Sequence, residues 1–205
     1  MNTQAKKSLM STRMITATGM LAAVSFILYL PQLEISFTFL PSFLKLDFSD
    51  LPALIGAFAY GPFAGIVICL IKNLLHIPLG TSNGVGEICN FIIGVALVVP
   101  ASLIYRRNKN RKTALIGSLI GTLAMGIISV PVNYFITYPF YATFFPHGIT
   151  DIVAVYTLLF PNITDLFSAL VLVNLPFTVV KGLLVTALCF VIYKRLSSIL
   201  KGKKA

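Results

Sequence analysis

The chain has 205 residues, 57% of them hydrophobic, and its mean hydropathy is +0.91. These values are typical of an integral membrane protein and exclude an ordinary soluble domain. The net charge is +10, yet the basic residues flank apolar runs, a distribution that indicates membrane topology rather than a nucleic-acid partner.

The basic residues form three clusters: the N-terminal tail, the segment 106–112 and the C-terminal tail. No acidic residue lies in any of them. The positive-inside rule places short clusters of this kind on the cytoplasmic side of the membrane. Of the 16 Lys and Arg residues, 13 belong to these clusters: Lys6, Lys7, Arg13, Arg106, Arg107, Lys109, Arg111, Lys112, Lys194, Arg195, Lys201, Lys203 and Lys204.

The apolar runs between the clusters predict an all-α integral membrane protein with six transmembrane helices and cytoplasmic N and C termini. Gly61-Pro62 divides one long run into two helices, because two cytoplasmic clusters require an even number of crossings between them. The first run has no cleavage site, so we expect a retained helix rather than a signal peptide. The predicted spans of this single domain, 1–205, are 14–30, 51–60, 62–77, 86–105, 113–139 and 166–193.

The first predicted helix carries two pairs of small residues, Thr18 with Ala22 and Gly19 with Ala23. Small residues one turn apart let another helix approach closely in lipid. The pairs therefore predict a docking face for a membrane partner, although packing within the protein explains them about as well.

Two connections are longer than simple turns, at 31–49 and 140–165. The first holds two prolines and three charges among aromatic residues, so we expect a long ordered loop that packs over the protein. The second is also aromatic and weakly polar, and we expect an outer connection. Cys69, Cys89 and Cys189 have no metal or disulfide spacing and are interpreted as packing residues.

The last span contains one charge, Lys181, which shares a helix face with Asn174 and Thr178. An ammonium at membrane depth costs a few kcal/mol. A lysine can instead extend to the lipid headgroups. Against this, the cytoplasmic cluster begins at Lys194, roughly 20 Å away along a helix. We therefore predict that Lys181 faces an enclosed polar cavity and binds a ligand.

Polar residues of other spans lie at a similar predicted depth: Asn133 and Asn174 match in height, and Asn90 and Glu87 belong to the same outer half. Each alone is explained by a hydrogen bond between helices, but their convergence predicts an outward-facing pocket. We expect Asp47 of the first loop to pair with Lys181. We expect the aromatic walls to come from Phe37, Phe39, Phe48 or Tyr134.

Such a pocket suits a flat, largely apolar ring edged with carbonyls and nitrogens and carrying a polyol tail, since amides donate and accept and lysine donates. Catalysis is not indicated, because His76 and His147 have no metal-ligand spacing and no nucleophile elbow or P-loop occurs. We expect no metal, no cofactor and no ATP hydrolysis by this chain.

Three stretches resemble the substrate-capture (S) component of energy-coupling-factor (ECF) vitamin transporters, above all the riboflavin-specific member. They are FLKLDFSDLPALIGAFAYGPFAGIVICLIKNLLH, the pattern GxGExxNFxxG at 84–94, and the ending PFxxxKGLL…YKRL. The resemblance covers essentially the whole chain. It implies riboflavin binding from outside under the first loop, in the bacterial plasma membrane, alongside a membrane coupling protein and two cytoplasmic ATPases.

By position, the resemblance implies that Asn133 and Lys181 contact the flavin and that Leu46 and Asp47 belong to the family's loop segment. Family members often carry Asn where this chain has Thr178. The helix-one alanine motif of the family is represented by the Thr18/Ala22 and Gly19/Ala23 pairs. The predicted ligand-binding residues are Leu46, Asp47, Phe48, Asn90, Asn133, Asn174, Thr178 and Lys181.

Two alternatives stay open. The ligand can be another vitamin or a flavin nucleotide, or the chain can be a stand-alone secondary transporter in which Lys181 and Asp47 couple protons. The absence of related halves in the sequence weakens an inverted-repeat transporter.

Overall fold

The computed structural model describes residues 12–80 and 82–201, with side chains described up to residue 192. The described chain is mainly helical, as composition predicts. Its nine α-helices are α1 (Thr12–Ile27), α2 (Asp50–Tyr60), α3 (Pro62–His76), α4 (Val85–Arg107), α5 (Arg111–Val132), α6 (Tyr138–Ala142), α7 (Ile149–Leu159), α8 (Leu166–Ala169) and α9 (Leu175–Lys201).

Three continuous helical stretches are long and apolar enough to cross a membrane: Val85–Arg107, Arg111–Ala142 and Leu166–Ile192. Four shorter apolar helices accompany them, namely α1, α2, α3 and α7. Helix α7 lies inside the stretch 140–165, which the sequence predicts as a connection, so that prediction missed an 11-residue helix.

The loop between α1 and α2 is ordered but is not purely irregular. It contains a 3₁₀ turn, Pro31–Leu33, and two short antiparallel strands, β1 (Ile35–Ser36) and β2 (Lys45–Leu46). The chain is mostly helical, as predicted, and this short hairpin is an addition that the sequence did not predict. A salt bridge of 2.8 Å between Lys45 and Glu34 fastens the base of the hairpin.

The break between α2 and α3 occurs at Gly61, as the Gly61-Pro62 pair predicts. Gly61 has φ of +105°, a region that disfavours residues with a Cβ. Pro62 then begins α3, where its missing N–H leaves no hydrogen bond unmade. Helix α2 is buried from Leu51 to Phe58, surrounded by α1, α3, α4 and α9. This burial allows a short helix to lie within the bundle.

The tightest helix pair is α4 with α5. A Cβ added to Gly121 would lie 2.3 Å from the Leu97 carbonyl oxygen, and one added to Gly117 would lie 2.7 Å from that of Ala101. The two backbones therefore meet because glycine is present, the small-residue packing expected between helices in lipid.

Candidate ligand-binding site

A cavity of about 640 Å³ lies between the loop 28–49, the facing ends of α3 and α4, the C-terminal part of α5 with the segment that follows it, and the first turns of α9. This size falls in the range of small-molecule sites. Six of the eight ligand-binding residues predicted from the sequence line it: Asp47, Asn90, Asn133, Asn174, Thr178 and Lys181.

Leu46 and Phe48, the other two predicted residues, are not among the residues that line this cavity. On an extended strand successive side chains point to opposite sides. Lys45 and Asp47 line the cavity, whereas Leu46 between them is buried elsewhere. Phe48 packs against the main hydrophobic core instead.

The predicted pair of Lys181 and Asp47 is present. Lys181 Nζ donates to Asp47 Oδ2 at 2.7 Å and lies 3.6 Å from Asp50 Oδ2. Burial alone would raise the pKa of Asp47, but the ammonium groups of Lys181 and Lys72 outweigh it and lower this pKa to about 2. Asp47 is therefore a carboxylate at neutral pH. Among the described residues Lys181 makes this one hydrogen bond, so it retains N–H donors for a ligand.

A second lysine extends this charge cluster. Lys72 is 0% exposed and donates to Asp50 Oδ1 at 2.5 Å and to Ser49 Oγ at 2.6 Å. The cluster thus holds two ammonium groups and two carboxylates, which balance in charge. Sequence analysis missed Lys72 as part of the site. The signal was available, since a lysine inside an apolar helix requires a buried partner.

Asn174 is held by two tyrosines. Its Oδ1 accepts from Tyr156 Oη at 2.6 Å and its Nδ2 donates to Tyr138 Oη at 2.7 Å. The two hydroxyls lie 2.5 Å apart. This closed triangle ties α9 to α6 and α7, so Asn174 shapes the cavity as well as lining it. Tyr156 was missed because its helix was predicted as a connection.

Two π-helical turns interrupt the long helices beside the cavity, at Asn133–Thr137 and Leu170–Asn174. Pro139 and Pro176 follow them closely. A proline cannot donate to the carbonyl four residues earlier and its ring collides with it, and that carbonyl lies inside the π turn in both cases. The wider turn accommodates the proline and brings Asn133, Thr137 and Asn174 to the cavity wall.

A further polar group lines the cavity at the meeting of α3 and α4. His76 Nδ1 lies 2.9 Å from Glu87 Oε1, and Ser82 Oγ donates to Glu87 Oε2 at 2.5 Å. The Tyr29 ring stacks on His76 with 3.9 Å between ring centroids. All four residues are buried. The sequence placed Glu87 correctly in this region but gave His76 no role.

The aromatic walls differ from the prediction. Phe37, Phe39, Phe48 and Tyr134 do not line the cavity, and Phe39 is 62% exposed. Phe43 extends instead from the loop to α6 and α7, where its ring makes edge contacts with Tyr138 and Tyr156. The aromatic residues that line the cavity are Tyr29, Phe43, Tyr138, Tyr141, Phe144, Phe145 and Phe177.

The two small-residue pairs of α1 face different ways. Thr18 and Ala22 are buried against the rest of the bundle, at 3% and 1% exposure. Gly19 and Ala23 are exposed, and a Cβ added to Gly19 would meet nothing within 4 Å. Only the second pair is therefore available to another protein.

The family model for the substrate-specific component of ECF transporters matches residues 13–193. The chain belongs to this family. Its members are transport components and not enzymes, which agrees with the absence of catalytic motifs in the sequence.

Among relatives of this S component, riboflavin transporter RibU of Staphylococcus aureus is 31% identical over 98% of this chain and 99% of its own. Riboflavin transporter FmnP of Bacillus subtilis is 34% identical over 91% of this chain and 93% of its own. A solved structure of the S component of a bacterial ECF transporter aligns with a TM-score of 0.70 and 30% identity, over 92% of this chain and 98% of that one.

Proposed function

We propose that this S component is a high-affinity riboflavin-binding subunit. It captures the vitamin from outside the cell and delivers it through an ATP-driven ECF complex. The observation that carries the proposal is the buried Lys181–Asp47 pair in the wall of a cavity of small-molecule size. Relatives named as riboflavin transporters support riboflavin as the vitamin.

The cavity supplies what an isoalloxazine ring requires. Lys181, Asn133, Thr178 and Asn90 offer donors and acceptors for the ring carbonyls and nitrogens. Phe177, Phe43 and the tyrosines cover its flat apolar faces. Residues of the loop 28–49 form one wall of the site.

Binding does not by itself accumulate a vitamin. The chain has no P-loop, so energy comes from partners: a membrane coupling protein and two cytoplasmic ATPases. We further propose six crossings of the bacterial plasma membrane with both termini cytoplasmic. Under this topology the loop 28–49 and the ligand entrance face outward.

The identity of the ligand is tested on the purified protein. We expect a yellow preparation with flavin absorbance, and tight quenching of riboflavin fluorescence when the apoprotein is titrated. A colourless protein that leaves added riboflavin unquenched would contradict the proposal. Riboflavin uptake into proteoliposomes without any ATPase would instead establish the secondary transporter.

Single cysteines test the topology. In a background without Cys69, Cys89 and Cys189, cysteines at the exposed positions Asn83 and His147 should react with impermeant thiol reagents from outside the cell. A cysteine at Asn108, exposed between α4 and α5, should react only after the membrane is opened. Labelling of Asn108→Cys in intact cells would contradict the six-span topology.

Partner docking is predicted to use Gly19 and Ala23. Replacing either with Leu should abolish riboflavin uptake in cells, because the face would no longer admit a second helix backbone. Riboflavin binding by the isolated subunit should stay near normal, since a side chain at Gly19 meets open space.

Two control variants on α1 show whether a loss of uptake comes from the docking face or from misfolding. Val24→Leu changes an exposed residue on a different side of α1 and should leave uptake intact. Ala22→Leu enlarges a buried residue and should impair folding and binding together. If Gly19→Leu behaves like Ala22→Leu, the docking assignment is wrong.

A further inference from the structure

The group formed by His76, Glu87, Ser82 and Tyr29 has no role in the function proposed so far. It is nonetheless a built polar site, because each of its members lines the cavity and is at most 7% exposed. The side chains come from four parts of the chain: the end of α1, the end of α3, the turn after it and the start of α4.

The hydrogen bonds within this group show which of its polar atoms lacks a partner. Both carboxylate oxygens of Glu87 are engaged, one by Ser82 Oγ and one by His76 Nδ1. A carboxylate only accepts, so the Nδ1 nitrogen carries the proton in that contact. Within the described chain His76 Nε2 has no partner, although it is buried.

A buried polar atom without a partner destabilises the protein relative to one that is hydrogen-bonded. Glu87 and the stacked Tyr29 ring hold the imidazole in place from two sides. An unpaired nitrogen on a fixed ring in a cavity wall is suited to complete its hydrogen bond with a ligand.

We propose that His76 Nε2 binds a hydroxyl group of the polyol tail of the flavin. This inference rests on riboflavin being the ligand and assigns the tail to the His76–Glu87 end of the cavity, with the ring edge at Lys181 and Asn133. His76 thereby becomes a specificity-determining residue for flavins that carry the tail.

The chemistry of the pair favours a hydroxyl over other groups. Neutral imidazole presents Nε2 as an acceptor and imidazolium presents it as a donor, and a hydroxyl satisfies either. A phosphate accepts only, and it would bring negative charge beside the Glu87 carboxylate. An apolar group would leave Nε2 unsatisfied.

The test compares riboflavin with lumiflavin, which has the same ring but a methyl group in place of the tail. Two variants remove Nε2 by different routes. His76→Phe keeps an aromatic ring to stack on Tyr29, while His76→Asn keeps an amide near the Nδ1 position to contact Glu87. Their shared defect is the missing Nε2. Fluorescence titration of each purified protein gives both affinities.

Both variants should weaken riboflavin binding by about fivefold or more and change lumiflavin binding by less than about twofold, as expected for one lost hydrogen bond. Lys181→Ala serves as the matched control, because it should weaken both ligands by similar factors.

Equal losses for the two flavins, or unchanged riboflavin binding, would overturn the assignment of the tail. Failure of both variants to give folded protein would overturn it as well, by making the pair structural. Failure of the wild-type protein to bind riboflavin at all would instead contradict the proposed function, so the two failures are distinguishable.

Discussion

Replacing Lys181 with alanine is expected to lower riboflavin affinity at least about tenfold, because hydrogen bonds from a charged group contribute roughly 1.5–3 kcal/mol. Lys181 is 7% exposed and lines the cavity, and its ammonium group lies 2.7 Å from Asp47 Oδ2. Its loss removes the strongest donor available to the ring edge. Fluorescence titration of the purified variant measures the change.

The difficulty with this variant is that Asp47 and Asp50 would share one remaining ammonium, that of Lys72. A double variant, Lys181→Ala with Asp47→Asn, restores the charge balance and should fold well while still binding weakly. Lys109→Ala, in the exposed turn between α4 and α5, should bind as the wild type does. Wild-type affinity in the folded double variant would remove Lys181 from the site.

Replacing Lys72 with methionine is expected to cause the largest loss of stability of any single change described. Methionine fills a similar volume, but the Asp50 carboxylate, 1% exposed, loses its closest cation at 2.5 Å. Leaving one member of a buried ion pair without its partner typically costs 3–5 kcal/mol, and we expect about that decrease in the free energy of unfolding. Denaturant titration in detergent micelles measures it.

The matched variants separate charge from packing. Lys72→Met combined with Asp50→Asn should recover most of the loss, because no uncompensated charge remains. Lys45→Met breaks the salt bridge to Glu34, in which the lysine side chain is 43% exposed. This change should lower the free energy of unfolding by at most about 1 kcal/mol. A Lys72→Met protein as stable as Lys45→Met would show that the buried cluster does not stabilise the fold.

The buried charge cluster of Lys72, Asp50, Asp47 and Lys181 is also connected to α1 through Ser49. Ser25 of α1 donates to the backbone carbonyl of Ser49. The hydroxyl and the backbone N–H of Ser49 both donate to Asp47 Oδ1, and Asp47 Oδ2 accepts from Lys181. Helix α1 is thereby linked to Asp47 and Lys181 in the cavity wall. These hydrogen bonds connect the C-terminal end of the loop to α1 and α9.

Much of the site was predictable from the sequence. The free-energy cost of burying a charged or polar side chain can be recognised from a single apolar helix that contains one. Lys181 in an apolar span requires a partner, and Asp47 was the acidic residue expected at its depth. Gly61-Pro62 had to interrupt a helix. The asparagines had to meet other polar groups. These inferences depend on the environment of one residue, which composition and spacing describe well.

The contacts of other residues could not be predicted, because they depend on which faces of distant helices pack together. Asp50, the first residue of α2, pairs with Lys72 of α3, a contact that depends on how the two helices pack. The triangle of Tyr138, Tyr156 and Asn174 required α7, whose 11 residues are too few to be recognised as a span. The unpaired nitrogen of His76 became visible only when Glu87 was found beside it.

The sequence by itself determined the membrane class, the family, the buried lysine with its carboxylate, and the ordered loop between α1 and α2, because hydropathy and charge act locally and leave a pattern along the chain. The tertiary structure alone decided the aromatic wall, the place of Lys72 in the charge cluster, the π turns that bring Asn133 and Asn174 to the cavity, and which small-residue pair of α1 is exposed. Those features depend on rotations and register shifts of whole helices, and a rotation of about 100° per residue position changes which side chain faces the cavity without changing the hydropathy of the run.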